Sequence, residues 1–168
     1  MQNAKDTFYE VLRGRMAAGN PERTVVVRGV TRPGVVVEEN ELVSAGTVPD
    51  CFWLRWTDVK ADTQGAMPMV SMNCEVQYAT AGTATNGGMD RGRCLAAMDA
   101  ELLAAVGASP QNAVKQNYAG LADGKPIVAM ATNVWWGDVT FGAMKIDGDR
   151  LTRTAEVSVM SFEEAGEL

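Results

Sequence analysis

Residues 69–106 constrain the fold of this chain more than any other stretch, because two hydrophobic periods follow one another there. Between residues 69 and 78 apolar and polar side chains alternate, which is the period of a strand with one buried face. Between residues 94 and 106 apolar side chains recur at helical spacing instead. Residues 79–88, which join the two, contain no large apolar side chain. The unit therefore predicts a strand and a long helix that pack together, with a polar loop between them.

The predicted buried faces of this unit follow directly from the two periods. The strand would bury Val70, Met72, Cys74, Val76 and Tyr78. The helix would bury Cys94, Leu95, Met98, Leu102 and Val106. Asp90 stands just before the helix and is a favourable N-cap residue.

Other parts of the chain predict one more helix and several more strands. Residues 4–18 form a helix whose apolar stripe is Phe8, Val11, Leu12 and Met16, and Gly19-Asn20-Pro21 ends it. Further strands are predicted at residues 24–30, 35–38, 51–57, 125–136 and 150–163. Arg32-Pro33-Gly34 predicts either a turn between the first two of these strands or a bend in one long strand. Asp147-Gly148 predicts a hairpin before the last strand.

The predicted loops are long and polar. They comprise residues 58–68, 79–88 and 108–124, the last with a short helix near residues 110–115, and a smaller loop at residues 44–50. Such segments are unusually long for a compact domain. They are either disordered at the surface or arms that order on assembly. We expect residues 79–89 to be free in an isolated subunit and ordered against a neighbouring one.

The order of these elements predicts the fold class. Strands come in runs rather than in strict alternation with helices, which favours an antiparallel sheet with helices packed on it. A chain of 168 residues with 46% hydrophobic residues suits one domain with a real core. We therefore predict a single α+β domain over residues 1–168, with a mostly antiparallel β-sheet, two main helices and long polar loops.

Composition and motifs argue against several function classes. The net charge of −6 leaves no basic surplus for gripping nucleic acid through its phosphates. The chain has no histidine, so the commonest general base and metal ligand are missing. Neither a phosphate-binding glycine motif nor a complete calcium loop is present. We expect no enzymatic activity, no cofactor and no metal.

Membrane and redox signals are also lacking. No apolar run approaches the ~20 residues of a membrane span, and the first residues lack the apolar core of a signal peptide. None of the three cysteines, Cys51, Cys74 and Cys94, belongs to a C-x-x-C pair. Buried free thiols are therefore expected, in a chain that does not associate with a membrane.

The four tryptophans are the best candidates for contact residues. Trp135 and Trp136 are adjacent in a predicted strand, so their side chains point to opposite faces of the sheet. Trp53 and Trp56 also lie in a predicted strand. Either helices cover both faces, or one face forms a subunit interface, where exposed aromatic residues concentrate.

Charged residues complete the predicted contact surface. Glu38, Glu39 and Glu41 form an acidic cluster, which is either a solvated loop or part of an interface. Arg91 and Arg93 begin the long helix. The predicted interface residues are therefore Trp53, Trp56, Trp135, Trp136, Arg91, Arg93, Glu38, Glu39 and Glu41.

The order of elements along nearly the whole chain resembles a known family. After a first helix come VVVRGVTRPGVVVEE, the apolar strand CFWLRW, the alternating strand MVSMNCEVQY, the helix DRGRCLAAMDAELLAAV and the long last strand RLTRTAEVSVMSF. This pattern is similar to tail terminator, or tail completion, proteins of long-tailed phages and phage-like particles.

The resemblance implies a structural virion protein, made in the host cytoplasm, that forms a ring of identical copies, typically a hexamer. The ring would cap the head-proximal end of the tail tube and join it to the neck. Its partners would be other copies, the tail tube protein and the neck or head–tail connector proteins. DNA would pass through the lumen without specific binding, and like charge between an acidic ring and phosphate would suit this.

Two other functions remain open from the sequence. One is another assembly part of a phage-like tail, neck or baseplate, such as a head–tail joining protein. The other is a small ligand-binding or enzymatic domain, because carboxylates can converge in three dimensions without leaving a sequence motif.

Overall fold

The computed structural model describes residues 1–41, 49–165 and 167. Within them the α-helices are α1 (Gln2–Gly19) and α2 (Arg91–Gly107). The strands are β1 (Thr24–Val27), β2 (Val30–Pro33), β3 (Val35–Val37), β4 (Phe52–Asp62), β5 (Met69–Thr80), β6 (Asn112–Asn117), β7 (Val128–Trp136), β8 (Thr140–Phe141), β9 (Lys145–Asp147) and β10 (Arg150–Phe162). Two short 3-10 helices cover Ala84–Asn86 and Leu121–Asp123.

One large sheet dominates the fold, in the order β3-β4-β5-β10-β7-β6. The β3–β4 pair is parallel, and the other neighbours are antiparallel. Strands β7, β8 and β9 lie one after another along the same side of β10. Strands β1 and β2 form a separate hairpin. The predicted α+β class with a mostly antiparallel sheet and two helices is therefore confirmed.

Both helices pack on the same face of this sheet. Helix α1 buries a stripe that includes Phe8, Leu12 and Met16, and α2 buries Leu95, Met98, Leu102 and Val106. Beneath them the sheet contributes alternate residues of its two longest strands. These are Val70, Met72, Cys74, Val76 and Tyr78 of β5 and Leu151, Ala155, Val157 and Val159 of β10. The predicted faces are confirmed, except that Val11 and Cys94 are only half-buried.

Several predicted boundaries are wrong. Strand β4 continues to Asp62, through a bulge at Asp58, into the predicted loop 58–68, because β5 is long enough to pair with it throughout. Residues 112–117 form β6 rather than a short helix, because β7 supplies a pairing partner that local sequence does not reveal. The first hairpin turns at Arg28-Gly29, where both residues have positive φ. At Arg32-Pro33-Gly34 the chain makes the predicted bend, at Gly34 between β2 and β3, rather than the turn. Of the predicted loop 44–50, only Pro49 and Asp50 lie within the described residues.

Residues 79–89 differ from the expectation of a free segment. The Asp90 carboxylate accepts hydrogen bonds from the Thr83 backbone N–H (2.8 Å), the Thr83 hydroxyl (2.7 Å) and the Asn86 amide (3.2 Å). Asp90 occupies the N-cap position of α2, but its side chain makes no bond to the helix amides. The loop is thus closed upon itself within a single subunit, without help from a neighbour.

Candidate interaction surface

The sheet face opposite the helices is the main uncovered surface of the described subunit. Along β10 from residue 155 to residue 162, buried and exposed side chains alternate without a break. The exposed set faces away from α1 and α2. The β1–β2 hairpin covers only one corner of this outer face, where Val36 and Trp53 pack against Val25 and Val27. An antiparallel sheet tolerates one solvated face, provided that this face is polar.

One end of the outer face is apolar instead. Met160 pairs with Trp135 across β10 and β7, and Phe162 pairs with Met69 across β10 and β5. Together these four residues and Ser161 line a cleft of about 180 Å³. Met160 and Phe162 remain 39% and 36% exposed. We call Met69, Trp135, Met160 and Phe162 the outer apolar cluster.

The middle of the outer face is polar and mainly acidic. Glu75 of β5 and Glu156 of β10 lie directly opposite each other. Arg55 of β4 is 3.7 Å from Glu75 and is half exposed, and Gln77 also donates a hydrogen bond to Glu75. Like charges in directly opposite positions oppose sheet pairing, so Arg55 offsets a repulsion within the subunit.

The two adjacent tryptophans lie on opposite faces, as predicted. Trp136 is 5% exposed, and its indole N–H donates to the Val106 carbonyl oxygen at 3.1 Å. Its ring also meets that of Phe8 edge to face, with centroids 5.5 Å apart. Trp136 is therefore a core residue, and its prediction as an interface residue is wrong. Trp135 is half-buried and belongs to the outer apolar cluster.

The other two tryptophans are both partly covered. Trp53 packs against the valines of the β1–β2 hairpin on the outer face. Trp56 lies on the helix side, where it meets Phe8 edge to face at 5.7 Å, and Lys5 lies over its ring. The buried Trp56 Nε1 has no hydrogen-bond partner among the described residues.

Glu41 was predicted as a contact residue, and its burial contradicts this. Its carboxylate lies 2.6 Å from Arg13 and 2.5 Å from Arg32, and it accepts hydrogen bonds from the Tyr9 hydroxyl (2.7 Å) and the Val37 N–H (3.0 Å). The carboxylate thus ties α1 to the β1–β2 hairpin. It also accepts a hydrogen bond from an N–H of β3 that no neighbouring strand uses, and so it closes the β3 edge of the sheet.

Glu38 and Glu39 are exposed, as their prediction requires. Glu39 lies 3.0 Å from Lys5. Both glutamates line a cleft of about 190 Å³ together with Trp56, Asp58 and Val59, beside the outer edge of β4. The structure therefore brings three of the predicted contact residues to one sheet edge.

The two arginines lie elsewhere. Arg91 donates a hydrogen bond to the Asp149 carbonyl oxygen in the turn before β10, at 2.8 Å, and Arg93 is exposed on α2. Because the turn and the outer apolar cluster stand at opposite ends of β10, they are about 33 Å apart at roughly 3.3 Å per residue. The predicted residues thus do not form a single patch.

Lys115 anchors the residues that follow β10. It is fully buried, lies 2.6 Å from Glu167 and donates to the Phe162 carbonyl oxygen at 2.5 Å. Burial raises the pKa of Glu167, but the hydrogen bond from Lys115 and smaller favourable contacts outweigh it, so this pKa lies below its usual value. The pKa of Glu164 is lowered as well, chiefly by the Thr132 hydroxyl.

An open groove of about 900 Å³ lies over α1. The parts of the chain that line it include the β1–β2 hairpin, which lies beside β3, helix α1, and residues 118–122, which follow β6. Two of the three arginines that line it, Arg13 and Arg32, are engaged by Glu41, and the third is Arg28.

Met69, Met160 and Phe162 are not among the contact residues predicted from the sequence. A signal for them existed, because Met160 and Phe162 are apolar residues at the exposed positions of an alternating strand, where polar side chains are expected. The signal was ambiguous, because a strand covered on both faces has the same pattern.

Within the described ranges, no helix is long and apolar enough to cross a membrane, and no group of three or more Cys, Asp or Glu side chains is arranged to hold a metal ion. No protein-family model matches the chain, and no curated protein matches it.

Proposed function

We propose that this chain is a structural subunit that assembles with copies of itself into a ring, as the tail terminator of a phage-like tail. The observation that carries the proposal is the outer apolar cluster on an otherwise polar sheet face. Half-exposed aromatic and methionine side chains are concentrated there, and such side chains are enriched in protein interfaces.

The charge of the subunit supports the same proposal. The chain carries a net charge of −6, and Glu75 and Glu156 add a paired negative charge to the middle of the outer face. An acidic surface repels the phosphates of nucleic acid. A ring whose lumen is lined by such a surface would let DNA pass without holding it.

In this proposal the ring caps the head-proximal end of the tail tube and meets the neck. The two sides of the ring would contact different proteins, the tube protein on one side and a head–tail connector on the other. A typical ring of this kind has six copies. The subunit would act through contacts that its surface makes with other proteins, without a cofactor.

Electron microscopy of the purified protein, alone and mixed with its tail tube protein, tests this function. We expect closed rings, and rings seated at one end of each tube. A subunit that stays monomeric at every soluble concentration and leaves tube ends bare would contradict the proposal.

A head–tail joining protein is the second candidate, since it too would use exposed surfaces. Labelling the subunit in an assembled particle separates the two, because a terminator lies at the tube end and a joining protein lies closer to the head.

A further inference from the structure

Side chains cap several free backbone N–H groups along the edges of the large sheet. At the β3 edge the Glu41 carboxylate accepts the Val37 N–H at 3.0 Å. At the β6 edge the Thr7 hydroxyl oxygen accepts the Gln116 N–H at 2.9 Å. On β7, Glu164 accepts the Thr132 N–H at 2.8 Å. Closing an edge in this way prevents another strand from pairing with it.

Among the edges that remain open in the described residues are the second half of β4 and β9. Strand β3 pairs only with the first three residues of β4, Phe52–Leu54, and the partner of β9 is β10. The exposure of their apolar residues reflects this, with Val59 at 44% and Ile146 at 73%.

The hydrogen-bonding direction of β4 follows from its contacts with its neighbours. Phe52 N–H donates to Gly34 and Leu54 C=O accepts from Glu38, so these even-numbered residues face the β3 side. Along an antiparallel strand, the backbone N–H and C=O groups of successive residues point alternately to one neighbouring strand and to the other. The bulge at Asp58 shifts this alternation by one residue. Val59 and Ala61 therefore direct their backbone groups outward, away from β5.

The hydrogen-bonding direction of β9 follows in the same way from its contacts with β10. Thr154 and Ser158 accept hydrogen bonds on the β7–β9 side of β10, so the even-numbered residues of β10 bond in that direction. Lys145 and Asp147 pair with such residues, Thr152 and Arg150. The backbone N–H and C=O of the residue between them, Ile146, consequently point outward.

We propose that β9 of one copy pairs antiparallel with residues 59–62 of β4 in a second copy of this chain, with Ile146 opposite Ala61. The inference rests on the proposed function, because it names one contact between neighbouring copies in the proposed ring. It joins the two open edges through their outward backbone groups and continues the sheet from subunit to subunit.

The side chains are complementary in this register. Lys60 would lie opposite Asp147, and Asp62 opposite Lys145, so both flanking pairs have opposite charge. All four side chains are exposed in the single subunit. These flanking pairs are not hydrogen-bonded through the backbone, and in such pairs the side chains lie closer together.

The apolar residues also match. Ile146 shares a sheet face with its buried partner Leu151, and Ala61 shares that face with its partner Val70. Pairing would therefore place Ile146 beside Ala61 and Val59 on the helix side, while the charged pairs lie on the outer side.

The contact has the symmetry that a ring needs. Within one subunit β4 and β9 run antiparallel, because three antiparallel pairs separate them. Pairing them between copies therefore leaves both copies in the same orientation, with their helices on the same face. Different surfaces meet in this contact, which is the head-to-tail arrangement that closes rings.

Charge reversal tests the register. We expect Asp62→Lys or Lys145→Asp alone to weaken subunit association about tenfold, since each turns an attraction into a repulsion. The double variant should restore association in analytical ultracentrifugation. Glu22→Lys, at an exposed position outside both edges, is the matched control and should change nothing.

Cross-linking provides a second test. With Ala61→Cys and Ile146→Cys in one chain, mild oxidation should give a ladder of linked subunits, since paired Cα atoms about 5.5 Å apart allow a disulfide. Ala61→Cys with Leu103→Cys, an exposed position on α2, should give none.

The outcomes separate this inference from the proposed function. The pairing would be overturned if wild-type rings form but neither single charge reversal weakens them. It would also be overturned if wild-type rings form but no cross-linked ladder appears. Either result would leave the proposed function standing. A wild-type protein that forms no rings would overturn both.

Discussion

Trp135 and Phe162 meet edge to face on the outer side of the sheet, with ring centroids 5.9 Å apart, and both side chains remain partly exposed. The two rings come from β7 and β10, and the register of those strands sets them side by side. An exposed aromatic pair of this kind is a natural centre for an interface, because large aromatic side chains dominate binding energies.

Replacing Trp135 by alanine should weaken ring assembly. We expect a loss of ~2 kcal/mol or more of association free energy if the outer apolar cluster is central to an interface. Sedimentation of the variant over a range of concentrations measures this loss. Trp136→Ala is the contrasting variant, because removing this core residue should cost about 3–5 kcal/mol of folding stability. If the Trp135→Ala variant assembles as well as the wild type, the outer apolar cluster is not part of the interface between subunits.

The Glu41→Gln variant should be markedly less stable. It leaves Arg13 and Arg32 without the carboxylate that they share, and breaking a buried ion pair typically costs about 3–5 kcal/mol. The lower end of that range fits here, since Arg32 is 27% exposed. Urea unfolding measures the change, with Glu38→Gln as an exposed control that should shift stability by less than about 0.5 kcal/mol. Equal midpoints for the two variants would contradict the role of Glu41.

The folded chain should become less stable in acid, because two glutamates that follow β10 become protonated and lose their stabilising contacts. The pKa of Glu164 and of Glu167 is lowered in the folded chain, so their contribution is present above the unfolded value of about 4.3 and is lost as pH falls below it. Lys115→Met removes the partner of Glu167. The difference in unfolding midpoint between wild type and this variant should therefore be large at pH 7 and narrow towards pH 3. A difference independent of pH would argue against this account.

The Asp90→Ala variant should loosen residues 83–89 without unfolding the subunit. Hydrogen bonds from Thr83 and Asn86 lower the pKa of Asp90 to about 2, so the carboxylate keeps these bonds over nearly the whole accessible pH range. We expect faster hydrogen exchange at the amides of this loop and an unchanged global unfolding midpoint. Protection equal to that of the wild type would mean that other contacts hold the loop.

The sequence predicted those parts of the fold that depend on local period. The alternation in β5 and the stripe on α2 appear in the structure because a strand or a helix with one buried face imposes its own spacing on apolar residues. The opposite directions of Trp135 and Trp136 follow from the same rule. Elements without a clear period, such as β6, were missed because β7 rather than the local sequence determines their conformation.

Only the tertiary structure decided which residues of the predicted surface are exposed. Glu41 belongs to an acidic run, but its neighbours in space are Arg13 and Arg32, which come from other elements. Trp136 lies under α1 and Trp135 does not, because both helices cross the same face of the sheet. Likewise the open edges at β4 and β9 result from strand order and register. These depend on contacts between residues far apart in the chain, which the local pattern of side chains does not encode.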